Sequence, residues 1–202
     1  MLVLLGGTFD PVHLGHVHAG VHVSKNLEEP TTFLVAPTPR LRIPPEASFE
    51  NRWAMVQLAC AEHPELLPSD LETTLPAPTE TIRTLSLLHE KHNQLVYVMG
   101  TDSLNQINTW SDSARFHLFM SIFLLQRPGI TLNQAPKSFQ FTSSVKQLTK
   151  ENGLIYLADF EMLDISASEI RLAAQENRDF SHLVPPTVYE YIITNNLYQK
   201  RD

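Results

Sequence analysis

Short apolar runs alternate along this chain with longer stretches whose apolar residues recur at helical spacing. The apolar runs are strand candidates at 2–5, 31–36, 95–99, 121–125 and 154–157. The helical stretches lie at 13–25, 48–62, 79–92, 168–176 and 187–195. Strands that alternate with helices in this way predict right-handed βαβ units. We therefore predict an α/β fold, Rossmann-like, with a mostly parallel sheet and helices on both faces.

A chain of 202 residues is the usual size of one domain, so we expect a single domain over 1–202 with a C-terminal helical part from about 166. The proline-rich stretches 37–45 and 67–78 indicate loops over the carboxyl edge of the sheet and not linkers. The longest apolar run, at 118–125, is too short to cross a membrane. The apolar start at 1–5 lacks the features of a signal peptide.

The charge of the chain restricts its partners. A formal net charge of −7 provides no basic field, so we expect no nucleic-acid polymer as partner, whereas a mononucleotide needs only a local site. The single cysteine, Cys60, cannot form an internal disulfide, which favours a reducing cytoplasm. Its apolar neighbours predict that it is buried.

The sheet topology tells us where to look for a ligand. In open α/β sheets, ligands bind beyond the carboxyl ends of the strands. The segments that fall there are 6–16, 36–42, the residues from Gly100 onward, and 165–171.

The first of these segments is rich in glycine and histidine. It is neither a dinucleotide fingerprint nor a P-loop, because G-x-G-x-x-G and G-K-[ST] are both absent. Gly6 and Gly7 let the backbone approach a phosphate at a helix N-terminus, and His13 and His16 share one face of that helix. Gly15 between them leaves room for a ligand. Two alternatives stay open: surface histidines, or a metal site that lacks evident further ligands.

Two signatures in this chain resemble those of the nucleotidylyltransferase superfamily. Residues 8–16 match [TS]-F-D-P-x-H-x-G-H, and residues 165–171 stand where the superfamily has I-S-S-T-x-I-R. The chain is most similar to the nicotinate-nucleotide adenylyltransferases, on the segments 97–104, 123–129 and 183–198 and on Trp110. The resemblance implies adenylyl transfer from ATP to nicotinate mononucleotide, in NAD biosynthesis, by direct in-line attack and without a covalent intermediate.

Three departures from the family pattern lie on the acceptor side. Leu41 replaces the histidine of P-P-H-[KR], Glu80 replaces the tyrosine of S-Y-T, and Ser111 follows Trp110 where an aromatic residue or a histidine is common. The acceptor is therefore less firmly predicted than the adenylyl donor.

By resemblance, the catalytic residues are His16, His13 and Arg171, with His16 on the α-phosphate. The same comparison predicts these residues to bind ATP: Gly7, Thr8, Phe9, His13, His16, Arg42, Ser166, Ser168 and Arg171. Arg42 would close over the leaving pyrophosphate as part of a mobile lid. From the residues alone, Ser168 and Arg171 also fit an N-cap and a solvated helix face, and Arg42 fits an exposed loop cation.

Five residues are expected to bind the acceptor: Thr81, Gly100, Asp102, Trp110 and Arg127. Trp110 would lie against the nicotinate ring, although it also fits a core residue, and Asp102 would bind a ribose hydroxyl or cap a helix. Mg²⁺ is expected to arrive with ATP, and we predict no metal site made by the protein. Competing functions are transfer to nicotinamide mononucleotide or phosphopantetheine, a non-catalytic nucleotide-binding module, and a histidine-based metal protein. The oligomeric state cannot be read from the sequence.

Overall fold

The computed structural model contains one seven-stranded sheet and describes residues 1–39, 44–126, 128–133, 135–160 and 162–200. The strands are β1 (Leu2–Gly7), β2 (Thr31–Val35), β3 (Leu66–Ser69), β4 (Leu95–Gly100), β5 (Ser121–Leu125), β6 (Gln140–Thr142) and β7 (Leu154–Leu157). Their order across the sheet is β3-β2-β1-β4-β5-β7-β6, and every neighbouring pair is parallel. The predicted α/β class is confirmed, with a sheet that is parallel throughout.

Helices connect the strands. They are α1 (Leu14–Leu27), α2 (Phe49–Ala61), α3 (Thr81–His89), α4 (Thr101–Gln106), α5 (Val145–Leu148), α6 (Ala167–Gln175) and α7 (Pro186–Thr194). Short 3₁₀ turns lie at Leu71–Thr74, Ile107–Thr109 and Ser113–Leu118. Ser48 caps α2, because its hydroxyl accepts the amide N–H of Asn51 at 3.3 Å. Among the described residues, no helix is long and apolar enough to cross a membrane.

Alternate residues of the central strands enter two separate cores. Val3 and Leu5 of β1 belong to a core that also holds residues of α1, α2, α6 and α7. Leu4 belongs to the opposite core, with residues of α3, α4 and the 3₁₀ turns. Successive strand residues point to opposite faces, so a strand covered on both sides is apolar at every position. The apolar runs of the sequence therefore predict the central strands. The helices lie on both faces of the sheet, as predicted.

Two segments differ from the sequence prediction. Residues 66–69 form the edge strand β3, although 67–69 belong to the stretch 67–78 that was assigned to a loop. Pro68 within β3 is tolerated because an edge strand needs no hydrogen-bond donors on its outer side. The three-residue strand β6 forms the other edge, and its Phe141 is 54% exposed, so no buried pattern marked it.

The strand order places a crevice between β1 and β4. From β1 the chain winds toward β2 and β3 on one side, while β4 and β5 extend the sheet on the other. Ligands of open α/β sheets bind outside the carboxyl ends of the strands at this reversal. The carboxyl ends here are Gly7 and Gly100, which lead into α1 and α4. The fold therefore directs attention to these two junctions.

Candidate active site

The loop after β1 is held in a sharply curved conformation. Phe9 has a φ of 50°, in the left-handed region that bulky residues rarely adopt. Its ring stacks on Phe33 of β2 at a centroid distance of 5.3 Å and meets the His16 ring edge-on at 4.9 Å. Packing on both sides thus stabilises a strained backbone where the sequence predicts phosphate contacts.

His13 and His16 are brought together at the start of α1. Their ring centroids are 3.8 Å apart, and His13 is the N-cap residue of the helix. The main-chain N–H of His13 donates to Nδ1 of His16 at 3.3 Å. This hydrogen bond requires an unprotonated Nδ1, so a neutral His16 carries its proton on Nε2. The arrangement makes Nε2 the donor that His16 offers to a ligand.

Gly15 has a different role from the one predicted. A Cβ at this position would lie 3.0 Å from Nδ1 of His13 and 3.7 Å from Cβ of Ile165. The space that the missing side chain leaves is therefore taken by the His13 ring and not by a ligand. Gly15 is what allows His13 to fold back against α1.

Arg171 reaches the same loop from α6. Its NH1 donates to the main-chain oxygen of Asp10 at 2.7 Å, and its Nε donates to Oε1 of Glu46 at 2.6 Å. The Ser168 hydroxyl accepts from NH2 at 3.4 Å. Arg171 is thus fixed beside the glycine-rich loop, and the simple interpretation of a solvated helix face is wrong for it.

The cap of α6 is Ser166 and not Ser168. The Ser166 hydroxyl accepts the main-chain N–H of Glu169 at 3.2 Å, as an N-cap residue does. Ser168 is the second residue of the helix, is exposed, and meets Arg171. Both serines lie at the N-terminal end of α6, where main-chain N–H groups and the helix dipole favour an anion.

The Asp10 carboxylate contacts three other segments of the chain, and the sequence did not indicate these contacts. It is 6% exposed, and its Oδ1 accepts from the Tyr198 hydroxyl at 2.8 Å and from the amide of Ala47 at 3.1 Å. Its Oδ2 accepts the amide of Glu46 at 2.8 Å and lies 4.0 Å from NH1 of Arg171. Motif matching identified Asp10, but its partners lie far away in sequence.

Arg52 is a second residue that sequence reasoning missed. It is 1% exposed, and its guanidinium donates to four carbonyl oxygens at 2.6–3.4 Å. These oxygens belong to Thr8, Ala36, Pro37 and Ala47. Burial lowers the pKa of Arg52, although Asp10 opposes that shift. Arg52 therefore fastens the loops after β1 and β2 to the start of α2.

Two of the five residues predicted for the acceptor lie at the second junction, at the end of β4. Gly100 is the N-cap residue of α4, and Asp102 is the second residue of that helix. Thr81 begins α3, and Trp110 is half-buried with its ring edge-on to Phe116 at 6.2 Å. Trp110 thus packs against the core while part of it stays accessible. Arg42 and Arg127, also predicted site residues, lie outside the described residues.

Two of the three departures from the family pattern touch each other. The Ser111 hydroxyl donates to Oε1 of Glu80 at 2.8 Å. The other oxygen of Glu80, Oε2, pairs with Nε of Arg83 at 3.1 Å. The start of α3 is therefore linked to the turn that carries Trp110.

Within the described ranges, no three side chains among His, Cys, Asp and Glu come together as a metal site. His18 and His22 of α1 instead meet the Phe160 ring, at 4.8 and 3.9 Å. Cys60 is buried as predicted, and burial raises the pKa of its thiol to about 12.

Comparisons with known proteins relate this chain to one family. The model of the cytidylyltransferase-like family matches residues 4–173. The "probable nicotinate-nucleotide adenylyltransferase" of Geotalea daltonii is 32% identical over 96% of both chains. The protein of the same name from Idiomarina loihiensis is 33% identical over 96% of this chain and 98% of its own.

A solved structure shares the fold. The nicotinic acid mononucleotide adenylyltransferase of Plasmodium falciparum, complexed with NaAD, superposes with a TM-score of 0.74. The match covers 98% of this chain and 96% of that one, at 20% identity.

Proposed function

The chain belongs to the cytidylyltransferase-like family and, within it, to the nicotinate-nucleotide adenylyltransferases, and on that premise we propose how its site works. The reaction is adenylyl transfer from ATP to nicotinate mononucleotide, which yields deamido-NAD and pyrophosphate. A phosphate oxygen of the acceptor attacks the α-phosphorus of ATP. The bond from that phosphorus to the oxygen bridging to the β-phosphate breaks, and pyrophosphate leaves.

This reaction needs no strong general base. The second pKa of a phosphate monoester is about 6, so the attacking oxygen is already largely anionic at neutral pH. The protein has to bring two anions together and stabilise the charge that develops on the transferring and leaving phosphates. Donors held in fixed positions do this best, because they need not reorganise during the reaction.

One observation carries the proposal: the fixed orientation of His16 beside His13. With Nδ1 committed to the main chain of His13, Nε2 of His16 donates to the α-phosphate. On the ATP side it acts with backbone groups of Gly7, Thr8 and Phe9, with His13, and with the N-terminal end of α6. Ser166, Ser168 and Arg171 bind the β- and γ-phosphates there, and Arg42 contributes from its loop.

The acceptor lies at the second junction. Trp110 contacts the pyridine ring, Thr81 and main-chain groups near it meet the ring substituent, and Gly100, Asp102 and Arg127 complete the site. Mg²⁺ enters as part of the MgATP substrate, where it is held by phosphate oxygens. We place the enzyme in the cytoplasm, because a lone buried thiol suits a reducing compartment and ATP is the donor.

The test is pyrophosphate release from MgATP with nicotinate mononucleotide, nicotinamide mononucleotide and phosphopantetheine in turn. We expect the nicotinate nucleotide to give the highest kcat/KM, with deamido-NAD as the product. Equal or faster turnover with phosphopantetheine would overturn the assignment of nicotinate mononucleotide as the acceptor. If none of the three acceptors gave turnover, the chain would be a nucleotide-binding module without catalytic activity.

A matched pair of variants tests the role of His16. His16→Ala should lower kcat by at least ~100-fold without loss of the fold, as expected for a lost transition-state donor. His18→Ala, on the same helix but in contact with Phe160, should stay within about threefold of the parent, because it stands outside the site and surface changes are usually mild. Comparable activity in both variants would refute the assignment of His16.

A further inference from the structure

Glu46 contacts Arg171 but has no part in the reaction as proposed. Its Oε1 accepts from Nε of Arg171 at 2.6 Å. Its Oε2 accepts from Nε2 of Gln175, one turn further along α6, at 3.2 Å. The main-chain N–H of Glu46 donates to Oδ2 of Asp10 at 2.8 Å. The Glu46 carboxylate thus has a partner on each oxygen, and its backbone is attached to the loop after β1.

The guanidinium of Arg171 is fixed at two different nitrogens. Nε meets Glu46, and NH1 donates to the main-chain oxygen of Asp10 at 2.7 Å. Because a guanidinium is a rigid planar fork, these two bonds define its plane. NH2 then lies 3.4 Å from the Ser168 hydroxyl, in the first turn of α6. Each terminal nitrogen carries two N–H groups, so within the described ranges one on NH1 and one on NH2 remain for a ligand.

From this geometry we infer that Glu46 is a positioning residue that orients Arg171 for the phosphates of ATP without touching the nucleotide itself. The inference rests on the proposed function, in which Arg171 binds the β- and γ-phosphates. Without the Glu46 carboxylate, only the bond to Asp10 and the longer contact with Ser168 would restrain the guanidinium. Donors held in place stabilise developing charge better than donors that must first reorganise. Glu46 therefore acts on the chemical step through Arg171.

A carboxylate beside a phosphate-binding cation can also act in the opposite sense, by competing with ATP for that cation. The two roles predict changes of opposite sign. Loss of a positioning residue lowers kcat, whereas loss of a competitor raises kcat/KM for ATP. The contact at Nε, which leaves donors on NH1 and NH2, favours the positioning role.

Two variants of Glu46 form a graded series. Glu46→Ala removes both contacts of the carboxylate and should lower kcat about tenfold, less than the loss of a direct transition-state donor. KM for nicotinate mononucleotide should stay within about twofold of the parent, since the effect lies on the donor side. Glu46→Gln keeps the shape and an oxygen for Arg171, so it should lower kcat only about threefold. The Glu46 side chain is 44% exposed, and ion pairs at such positions add little stability, so both variants should keep the urea midpoint of the parent.

A double-mutant cycle tests whether Glu46 acts through Arg171. In an Arg171→Met background, Glu46→Ala should cause no further loss of kcat, because the side chain that it orients is gone. Glu176→Ala is the control. It removes a carboxylate that accepts from Nε of Arg178 at 2.7 Å, the same kind of contact at the C-terminal end of α6, and should leave kcat within about twofold of the parent. The measurement is steady-state pyrophosphate release at varied MgATP and varied nicotinate mononucleotide.

Failure of this inference can be told apart from failure of the proposed function. If the parent enzyme transfers AMP to no acceptor, the proposed function and the inference both fall. If the parent enzyme works, three results for Glu46→Ala would overturn the inference alone: a rise in kcat/KM for ATP, a parental kcat, or an equal loss with and without Arg171. If Glu46→Ala fails to fold, Glu46→Gln decides the matter by the same three criteria.

Discussion

The hydroxyl of Tyr198 donates to Oδ1 of Asp10 at 2.8 Å, across 188 positions of sequence. Burial and the adjacent carboxylate raise the pKa of Tyr198, so its hydroxyl remains a donor throughout the pH range in which proteins are normally folded. The last described segment of the chain therefore supports the loop that leads into His13.

Tyr198→Phe removes this hydrogen bond and keeps the ring. We expect a loss of about 1.5–3 kcal/mol in the free energy of unfolding, the usual contribution of a hydrogen bond to a charged group. Since Asp10 also orients the loop, KM for ATP should rise. Chemical denaturation and steady-state kinetics measure the two effects. Tyr191→Phe, whose hydroxyl donates to the neutral Asn51 at 3.0 Å, should leave the kinetics unchanged.

Arg52→Lys tests the four carbonyl contacts of the buried guanidinium. An ammonium is a point donor and cannot span oxygens of the loops after β1 and β2 and of the start of α2, so unpaired carbonyls remain. The free energy of unfolding should fall by about 2–3 kcal/mol, as measured by urea denaturation. Arg115→Lys is the control. Arg52 lies over the Phe49 ring and Arg115 over the Phe119 ring, but Arg115 is exposed. The control variant should change the free energy of unfolding by less than ~0.5 kcal/mol. Equal losses in both variants would contradict a special role for Arg52.

Arg171→Lys tests the fixed position of the cation on α6. The planar guanidinium contacts Glu46, Asp10 and Ser168 at once, which leaves further N–H groups for phosphate oxygens. We expect kcat/KM for ATP to fall by roughly 100-fold in Arg171→Lys, in line with the loss of a transition-state donor. Arg178→Lys is the control. In the described part of the chain, the exposed Arg178 side chain pairs only with Glu176, so this variant should retain near-parental kinetics.

Glu72→Gln tests a buried carboxyl group outside the site. Glu72 is 7% exposed, and burial raises its pKa, although the Thr84 hydroxyl donates to it at 2.8 Å and opposes the shift. The folded state thus holds the proton more tightly than the unfolded state, so stability is lost as the pH rises through the folded pKa. Glu72→Gln should raise Tm at pH 7 by roughly 2–4 °C, and the gain should vanish at low pH, where Glu72 is neutral in both states.

Calorimetry at pH 7 and at pH 4 measures this difference. Glu90→Gln, an exposed carboxylate, should give the same Tm as the parent at both values. A Glu72→Gln gain that is equal at the two pH values would exclude titration as its cause.

Local patterns predicted the central strands but not the edges. Strand β1 is predicted by its apolar run Val3, Leu4 and Leu5, because both faces of that strand are covered. Strand β3 contains Pro68, and β6 has only three residues, so neither has a run that sequence alone identifies. Gly20 allows close packing of α1 on the sheet, because a Cβ there would lie 2.6 Å from the Phe33 ring.

The buried face of α2 includes Arg52, which a small error in assigning the helical period leaves out. A helical period through Trp53, Val56, Gln57 and Cys60 would place Gln57 on that face, but Gln57 is exposed. The buried set is Arg52, Met55, Val56, Ala59 and Cys60. Met55, Val56 and Ala59 follow Arg52 at helical spacing, so a charged residue on an apolar face was the available signal.

In the candidate site, too, short motifs predict some residues and leave others unidentified. His13, His16 and Arg171 were predicted from short motifs, because each motif lies within one turn or at one helix end. The supports of those residues were not found, because Asp10, Glu46 and Tyr198 meet only after the whole sheet has formed.

The contact between Asp10 and Tyr198 also sets an order of events during synthesis. The ribosome makes Asp10 long before it makes Tyr198, so a growing chain completes its first strand and its histidine helix while Oδ1 of Asp10 still lacks that hydroxyl. The loop between β1 and His13 thus gains this hydrogen bond only after the segment around Tyr198 has left the exit tunnel and docked. Shortened chains that end before this segment would contain both signature motifs and still lack the hydroxyl that supports Asp10.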